Sequence, residues 1–528
     1  MVSIRRCGFR ILRLIAILTV IALLPVNVVM ASSVENSIVF GIQSNKTLLI
    51  RPFEPVERDM LPIYHLVYES MIVIDDDYMP QGCLAESWEV SSDGKYWTFH
   101  LREDVSFSDG TPLTADDVVA SANYILDRAK DENITDHGFY CNLKYFISSI
   151  SAKDEHTVSV KASRHYFGVL YAMTFPVVPA SMVQADNPPG TGPYVIGEFR
   201  AGQQMWLTTN TGWWQAQPQV KDISFVFHDT ASGLVESYEF ARVDAAFTRS
   251  LASAQYKTGT SSISMSYRTN QLECLLMNNS SSELTLEVRK AIRFLIDRSK
   301  IITNVYSGMA KETNFPFYPG TWMYNTSLDQ YFVRDVAEAR QLLEEAGWED
   351  SDENGILDKL NSKGELRNLS LRFYFYEEPD NDVRAEAVNL IVDALAEVGI
   401  ACRVEPMTMS NLKAKLEAGS YDLALVSFAM DDCPDPGFIL MSDNVRVGNY
   451  SRYRSEKMDN LCKSLRTQVT QEGFRQKLMD IQNLFYQDCP FICLYWRMGN
   501  VISRYMYTTC RDVREYEVLR GIESYFVR

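Results

Sequence analysis

Between residues 369 and 428 the apolar residues fall in an order that few folds accommodate. Leu369, Leu371, Phe373 and Phe375 recur with the period of a strand. Val383, Ala387, Leu390, Ile391, Ala394, Leu395 and Val398 then make the apolar stripe of a helix that Gly399 ends, and Ala401 to Val404 begin a new strand. Strand, helix and strand at this spacing predict a βαβ unit, because parallel strands need a long crossover between them. The apolar run Leu423 to Phe428 predicts a further strand, buried on both faces. The second half of the chain is therefore expected to be an α/β lobe.

At 528 residues the chain exceeds what one hydrophobic core organises, so two or more lobes are expected. Hydrophobic residues make up 46% and charged residues 23%, enough apolar material to offset the entropy of ordering the backbone. In the first half, Tyr96, Thr98 and His100 alternate with Trp97, Phe99 and Leu101 after a Ser92-Asp93-Gly94 turn, which predicts a hairpin with the Trp88–Val90 stretch. Thr114 precedes Asp117 by three, a capping box, so a helix carrying Val118, Val119, Ala122 and Leu126 is expected from about Ala115. Asp335 and Glu338 repeat that pattern before Val336, Ala339, Leu343 and Ala346, with Gly347 as the stop. Gly190-Thr191-Gly192-Pro193-Tyr194 marks a break, and near residue 275 the pattern turns helical, with Val288, Ala291, Ile292 and Leu295 on one face. There is no internal repeat.

The amino terminus predicts an export signal over residues 1–31: Arg5, Arg6, Arg10 and Arg13 precede an apolar run from Leu14 to Leu24, and Val29 and Ala31 suit a signal peptidase. The run is short of the ~20 residues that span a bilayer; its extension through Pro25 and Asn27 leaves an uncleaved anchor as the alternative. Removing the leader leaves 47 basic against 68 acidic residues, a balance that repels phosphate and sets nucleic acid aside as a partner. Cys7 lies too early to carry a lipid anchor, and its loss leaves an odd nine cysteines, so at least one is unpaired. Cys489 and Cys493 are spaced like half a zinc site, but no second pair of ligands lies near them. No Gly-x-Ser-x-Gly elbow, His-Glu-x-x-His or Walker-type loop occurs, so the chain is expected not to be an enzyme.

Six stretches carry a resemblance: LAESWEVSSDGKYWTFHLREDVSFSDGTPLTADDVVAS from Leu84, GTGPYVIGEF from Gly190, VRKAIRFLIDRSKII from Val288, DVAEARQLLEEAGW from Asp335, YDLALVSF from Tyr421 and DCPDPGFIL from Asp432. In this order they resemble the family 5 solute-binding proteins of ABC importers, the oligopeptide-binding type. The resemblance implies a two-lobed α/β periplasmic-binding-protein-like fold of class II, large type. It implies a first lobe over 32–273 with an inserted subdomain at about 61–189, a second lobe over 274–494, and a return to the first lobe over 495–528. It also implies a monomer outside the cytoplasmic membrane, in the periplasm or on the outer face of the membrane. Such a protein closes over a small peptide, uses no cofactor and delivers its ligand to permease subunits. Related binders of this fold carry nickel chelates, haem or oligosaccharides, and a signalling or surface interaction protein is the alternative from another class.

By the same resemblance, Asp431 or Asp432 meets the amino group of the ligand; this chain has one residue more than the family usually has between the strand aromatic and Pro434-Asp435-Pro436, so either fits. Phe428 stands where the family commonly has tryptophan, and Tyr64 and Tyr68 fall in a region that lines the family's cleft. Some relatives bridge positions comparable to Cys274 and Cys433, and that disulfide is expected here, against two reduced buried thiols. Asp350, Asp352, Asn354, Gly355 and Asp358 match positions 1, 3, 5, 6 and 9 of a calcium loop, but Asn361 replaces the glutamate at position 12, so a plain turn is the competing expectation.

Overall fold

In the computed structural model of the chain, which describes residues 36–527 except 45–49, 55–56, 135, 137, 164–166, 201–203, 259–261, 362 and 379–380, the βαβ unit forms as the apolar spacing predicts. The expected leader at residues 1–31 lies outside the described residues. One sheet holds eleven strands. In chain order they are β1 (Ser37–Gln43), β2 (Tyr194–Arg200), β3 (Gln204–Thr209), β4 (Asp222–His228), β5 (Ala245–Thr248), β6 (Ile263–Met277), β7 (Ala310–Glu312), β8 (Ser370–Tyr376), β9 (Ala401–Met407), β10 (Leu423–Ala429) and β11 (Phe491–Ser503). Across the sheet the order is β9-β8-β10-β6-β11-β5-β1-β4-β3-β2, with β7 also on β11.

Two halves meet at the long strands β6 and β11. On one side β8 runs parallel to both β9 and β10, with the helix Val383–Ala396 as the crossover. On the other, β1 runs parallel to β4 and β5. The early residues of β6, Ile263 to Arg268, pair with the late residues of β11, Ser503 to Met498, beside β5. The late residues of β6, Leu272 to Leu276, pair with the early residues of β11 and with β10. Between them the register shifts, from Arg268 to Leu272, so the ladder is interrupted there. Shifts of this kind bend a strand and re-aim its side chains.

The core explains the runs of apolar sequence. Leu423 and Leu425 of β10 pack with Leu371 and Phe373 of β8, Leu275 of β6 and Val288, Ile292 and Leu295 of the helix Leu286–Leu295. Ala424, Val426 and Phe428, on the opposite face of the same strand, join the larger cluster that also holds Phe40, Trp97 and Phe99. A strand buried on both faces cannot alternate, which is why Leu423 to Phe428 reads as continuous. Each large apolar side chain so buried contributes about 1.5–3 kcal/mol.

A second, four-stranded sheet sits beside the first half, in the order Ala85–Val90, Tyr96–Leu101, Thr157–Ala162, Ile147–Asp154. The helix Ala115–Arg128 begins at the predicted box: the Thr114 backbone N–H donates to Asp117 Oδ2 at 2.9 Å. Asp117 Oδ1 accepts the Ala180 N–H at 2.8 Å, so the cap also fastens a distant loop. The Gly-Thr-Gly-Pro-Tyr stretch explains its own glycines. A Cβ on Gly190 would sit 1.9 Å from the Val67 carbonyl oxygen, and one on Gly192 would sit 2.6 Å from that of Leu66. Ser108, in the Phe-Ser-Asp-Gly turn, donates its N–H to the Gly190 oxygen at 2.9 Å, so two distant motifs meet against the end of the helix Leu61–Val67. Among the described residues no helix is long and apolar enough to cross a membrane.

Candidate functional site

β10 ends at Ala429, and the Met430 N–H donates to the Asn270 carbonyl at 2.9 Å, which ties the exit of the strand to the register shift of β6. The loop that follows faces a cavity of about 280 Å³. Ala429 to Asp432 line one side of it, Phe139, Tyr140 and Asn142 another, and Tyr171, Asn270 and Tyr516 complete the wall. Phe139 packs edge-on against both Tyr140 and Tyr516, each at 5.0 Å between ring centroids. An adjoining cavity of about 210 Å³ shares Phe139, Tyr140, Thr174, Asp432 and Tyr516 with the first, and Tyr64 and Tyr68 line it. Tyr68 is buried and donates its hydroxyl to the Pro188 carbonyl at 3.1 Å, with Tyr64 edge-on to it.

Three carboxylates on this loop have different partners. Asp435 is clamped by Arg466, whose Nε and Nη2 reach it at 2.6 and 3.0 Å, and it also accepts the Gly437 N–H. Asp432 pairs with Arg514, a buried guanidinium that also donates to the Ile74 carbonyl at 2.9 Å and to Glu517 at 3.1 Å. Asp431 accepts neutral donors, the Asn142 amide at 3.2 Å and the backbone N–H groups of Asp432 and Cys433, and forms no ion pair among the described residues. Its surface is open to the cleft while protein surrounds it, and burial and the Asp432 charge raise its pKa above the ordinary carboxylate value. Of the two aspartates that the sequence left equivalent, Asp431 is the one whose charge is unmet.

The second cavity holds a group that sequence reasoning missed. Glu69 accepts the indole N–H of Trp213 at 3.2 Å and that of Trp214 at 2.9 Å, and the Arg102 guanidinium stacks over Trp214 at 4.7 Å. Burial, opposed by these donors and by Arg102, raises the Glu69 pKa. Nearby, burial works to raise Glu517, but His65, Arg514 and Arg520 hold it down to about 2. Arg514, Asn142 and Asn270 were likewise missed. None sits in a motif, and each reaches the site through contacts far along the chain.

Other expectations meet different surroundings. Phe428 is 8% exposed, pairs with Leu272 across the β10–β6 ladder and packs edge-on against Phe438, whereas the cavity wall begins at the next residue, Ala429. The Cys274–Cys433 bridge is not formed: neither thiol is in a disulfide, and Cys274 lies opposite Cys493 across the β6–β11 ladder and opposite Val426 on β10. The register of β6 therefore gives Cys274 a different cysteine neighbour from the one expected. The carboxylates of Asp350, Asp352 and Asp358 do gather within 4.8 Å of one another. They also hold the turn itself: Asp350 accepts the N–H groups of Asn354 and Gly355, Asp358 accepts twice from Ser351, and the Asn354 side chain donates to Asp352.

The description "Bacterial extracellular solute-binding proteins, family 5 Middle" matches residues 79–449. The "Probable D,D-dipeptide-binding periplasmic protein DdpA" of Escherichia coli strain K12 is 26% identical over 440 residues, 79% of each chain. The "Oligopeptide-binding protein AppA" of Bacillus subtilis strain 168 is 23% identical over 483 residues, 86% of each chain. Among solved structures, HbpA2 from Haemophilus parasuis superposes with a TM-score of 0.79 at 19% identity, over 93% of this chain and 99% of that one. NikA from Brucella suis, in complex with Fe(III)-EDTA, gives 0.74 at 20% identity, over 91% and 99%. These likenesses carry the two-lobed α/β fold, and the chain belongs to the bacterial extracellular solute-binding proteins of family 5.

Proposed function

We propose that the chain binds small peptides in the cleft between its lobes, with the ligand's amino group on Asp431, and delivers them to the permease of an ABC importer on the outer side of the cytoplasmic membrane. The observation that carries this reading is the Asp431 carboxylate, which has no ion-pair partner among the described residues and lines a cavity walled by aromatic rings. A protonated amine supplies the missing charge and several donors, and a charge-assisted bond in an enclosed site is strong. At about 280 and 210 Å³, the adjoining cavities suit a small ligand, since pockets span about 300–1,000 Å³. Several relatives are named for peptides, whereas others are named for nickel and haem, so the ligand must be argued from the site.

Native mass spectrometry of the protein purified without added ligand should show small-peptide cargo. In calorimetry, Asp431→Asn should weaken peptide binding by about 2 kcal/mol or more, roughly 30-fold in Kd. N-acetylation of the peptide should have a similar effect. Acetylated and free peptides that bind equally, or peptides of neither kind binding, would sink the reading.

A further inference from the structure

A free peptide brings a carboxylate as well as an amine, and a cleft that encloses both ends has to meet the second charge or leave it in water. Among the described residues, the only charged groups lining the cavity beside Asp431 are Asp431 and Asp432. No lysine, arginine or histidine takes part in that wall. The adjoining cavity adds three basic side chains, His65, Arg514 and Arg520, and three further acids, Glu69, Glu517 and Glu523.

Each of those basic groups is already engaged. Arg514 serves Asp432, Glu517 and a backbone carbonyl. Arg520 holds Asp76 at 2.7 Å and Glu517 at 3.9 Å, and His65 Nδ1 lies 3.5 Å from Glu517. A ligand carboxylate in either cavity would thus shed its water beside several acids and find no unpaired cation among the described residues. A second cationic or neutral group faces no such penalty, and the rings of Phe139, Tyr140 and Tyr516 offer π faces to it.

We infer that the cleft selects small ligands that bring a protonated amine and no carboxylate into it: its ligand class is net-cationic, exemplified by peptides with an amidated or otherwise neutral carboxyl end. This rests on the amine reading above and narrows it. The recognition is one-sided, with an unmet anion to attract and, among the described residues, no unpaired cation to receive.

The test uses matched pools of di- and tripeptides in three forms: free acid, C-terminal amide and N-acetyl. Their binding to the exported chain is measured by calorimetry at low and at physiological ionic strength. The amides should bind more tightly than the acids, by about tenfold at low salt, with a gap that narrows as salt screens the repulsion. Free acids that bind more tightly than their amides would overturn the inference and leave the amine reading standing, provided the N-acetyl pool still fails to bind. Equal binding of the N-acetyl pool, or no binding by any pool, would overturn both.

Discussion

At the scale of single residues, the pH response of Asp431 discriminates between a ligand contact and a decorative loop acid. Its pKa is raised in the folded protein, by burial first and by Asp432 second. Binding an amine requires the carboxylate to be ionised. As pH falls through that raised pKa, protons compete, and affinity should drop by up to about tenfold per pH unit, from a point above the usual aspartate range of about 4. On the alkaline side the α-amino group loses its proton near about 8, so affinity should peak between the two. The same shift has the opposite sign for the ligand-free protein. A carboxylate with a raised folded pKa costs stability above that pKa, and the cost fades as pH falls and the group protonates. Asp431→Asn should therefore melt higher than the wild type at neutral pH without ligand, and lose that advantage in acid. A flat calorimetric profile between about pH 4 and 8, with no gain in melting temperature, would remove Asp431 from the site. The distinction between Asp431 and Asp432 was not legible in the sequence, because adjacent aspartates in a Pro-rich loop have the same local chemistry. What separates them is Arg514, 82 residues away in the chain, and Asn142, 289 residues away.

At the scale of elements, the crossing strands carry a buried ion network that links them to the βαβ helix. Glu273 of β6 is wholly buried and accepts Arg384 Nη2 at 2.9 Å. Arg384, on the helix Val383–Ala396, also gives its Nε to Glu378 at 2.8 Å, and Arg497 of β11 reaches Glu378 at 3.4 Å. The two ends of the Glu273–Arg384 pair are not equivalent. Removing Arg384 leaves Glu273 in the core, with its second oxygen already lacking a partner. Removing the charge of Glu273 leaves Arg384 with Glu378. Arg384→Met should thus cost about 3–5 kcal/mol in denaturant unfolding, and Glu273→Gln distinctly less. The reverse order would show that the network is not organised around the buried carboxylate. The helix itself was legible, as were β8, β9, β10 and the helix at Ala115, because their signals are local: alternation, a 3.6-residue stripe, a capping box, a closing glycine. β6 was not. Its early residues are half-buried in alternation, whereas its late residues are buried on both sides, so no single period runs through Ile263–Met277. The break read near residue 275 falls inside this strand.

At the scale of the whole molecule, the reading proposed above gives the two adjacent aspartates different parts in closing the cleft, one that waits for ligand and one that does not. Asp431 faces the cavity with no ion-pair partner among the described residues. Asp432, on the β10 side, is already bonded to Arg514, which is anchored on the other side by Ile74 and Glu517. A ligand shifts an open–closed equilibrium only by its differential affinity for the closed form. An internal pair across the cleft adds closing energy that no ligand has to supply, and it raises apparent affinity through the closed population alone. Asp432→Asn removes that pair while Arg514 keeps its other two partners. In solution scattering, the ligand-free Asp432→Asn protein should have a larger radius of gyration than the wild type. Its affinity for every ligand should fall by the same factor, with the preference for free over acetylated amines intact. Asp431→Asn should do the converse: unchanged dimensions without ligand, and loss of that preference. If Asp432→Asn instead left the dimensions unchanged and altered which ligands bind, Asp432 would be a ligand contact, and the division of labour between the two aspartates would be reversed.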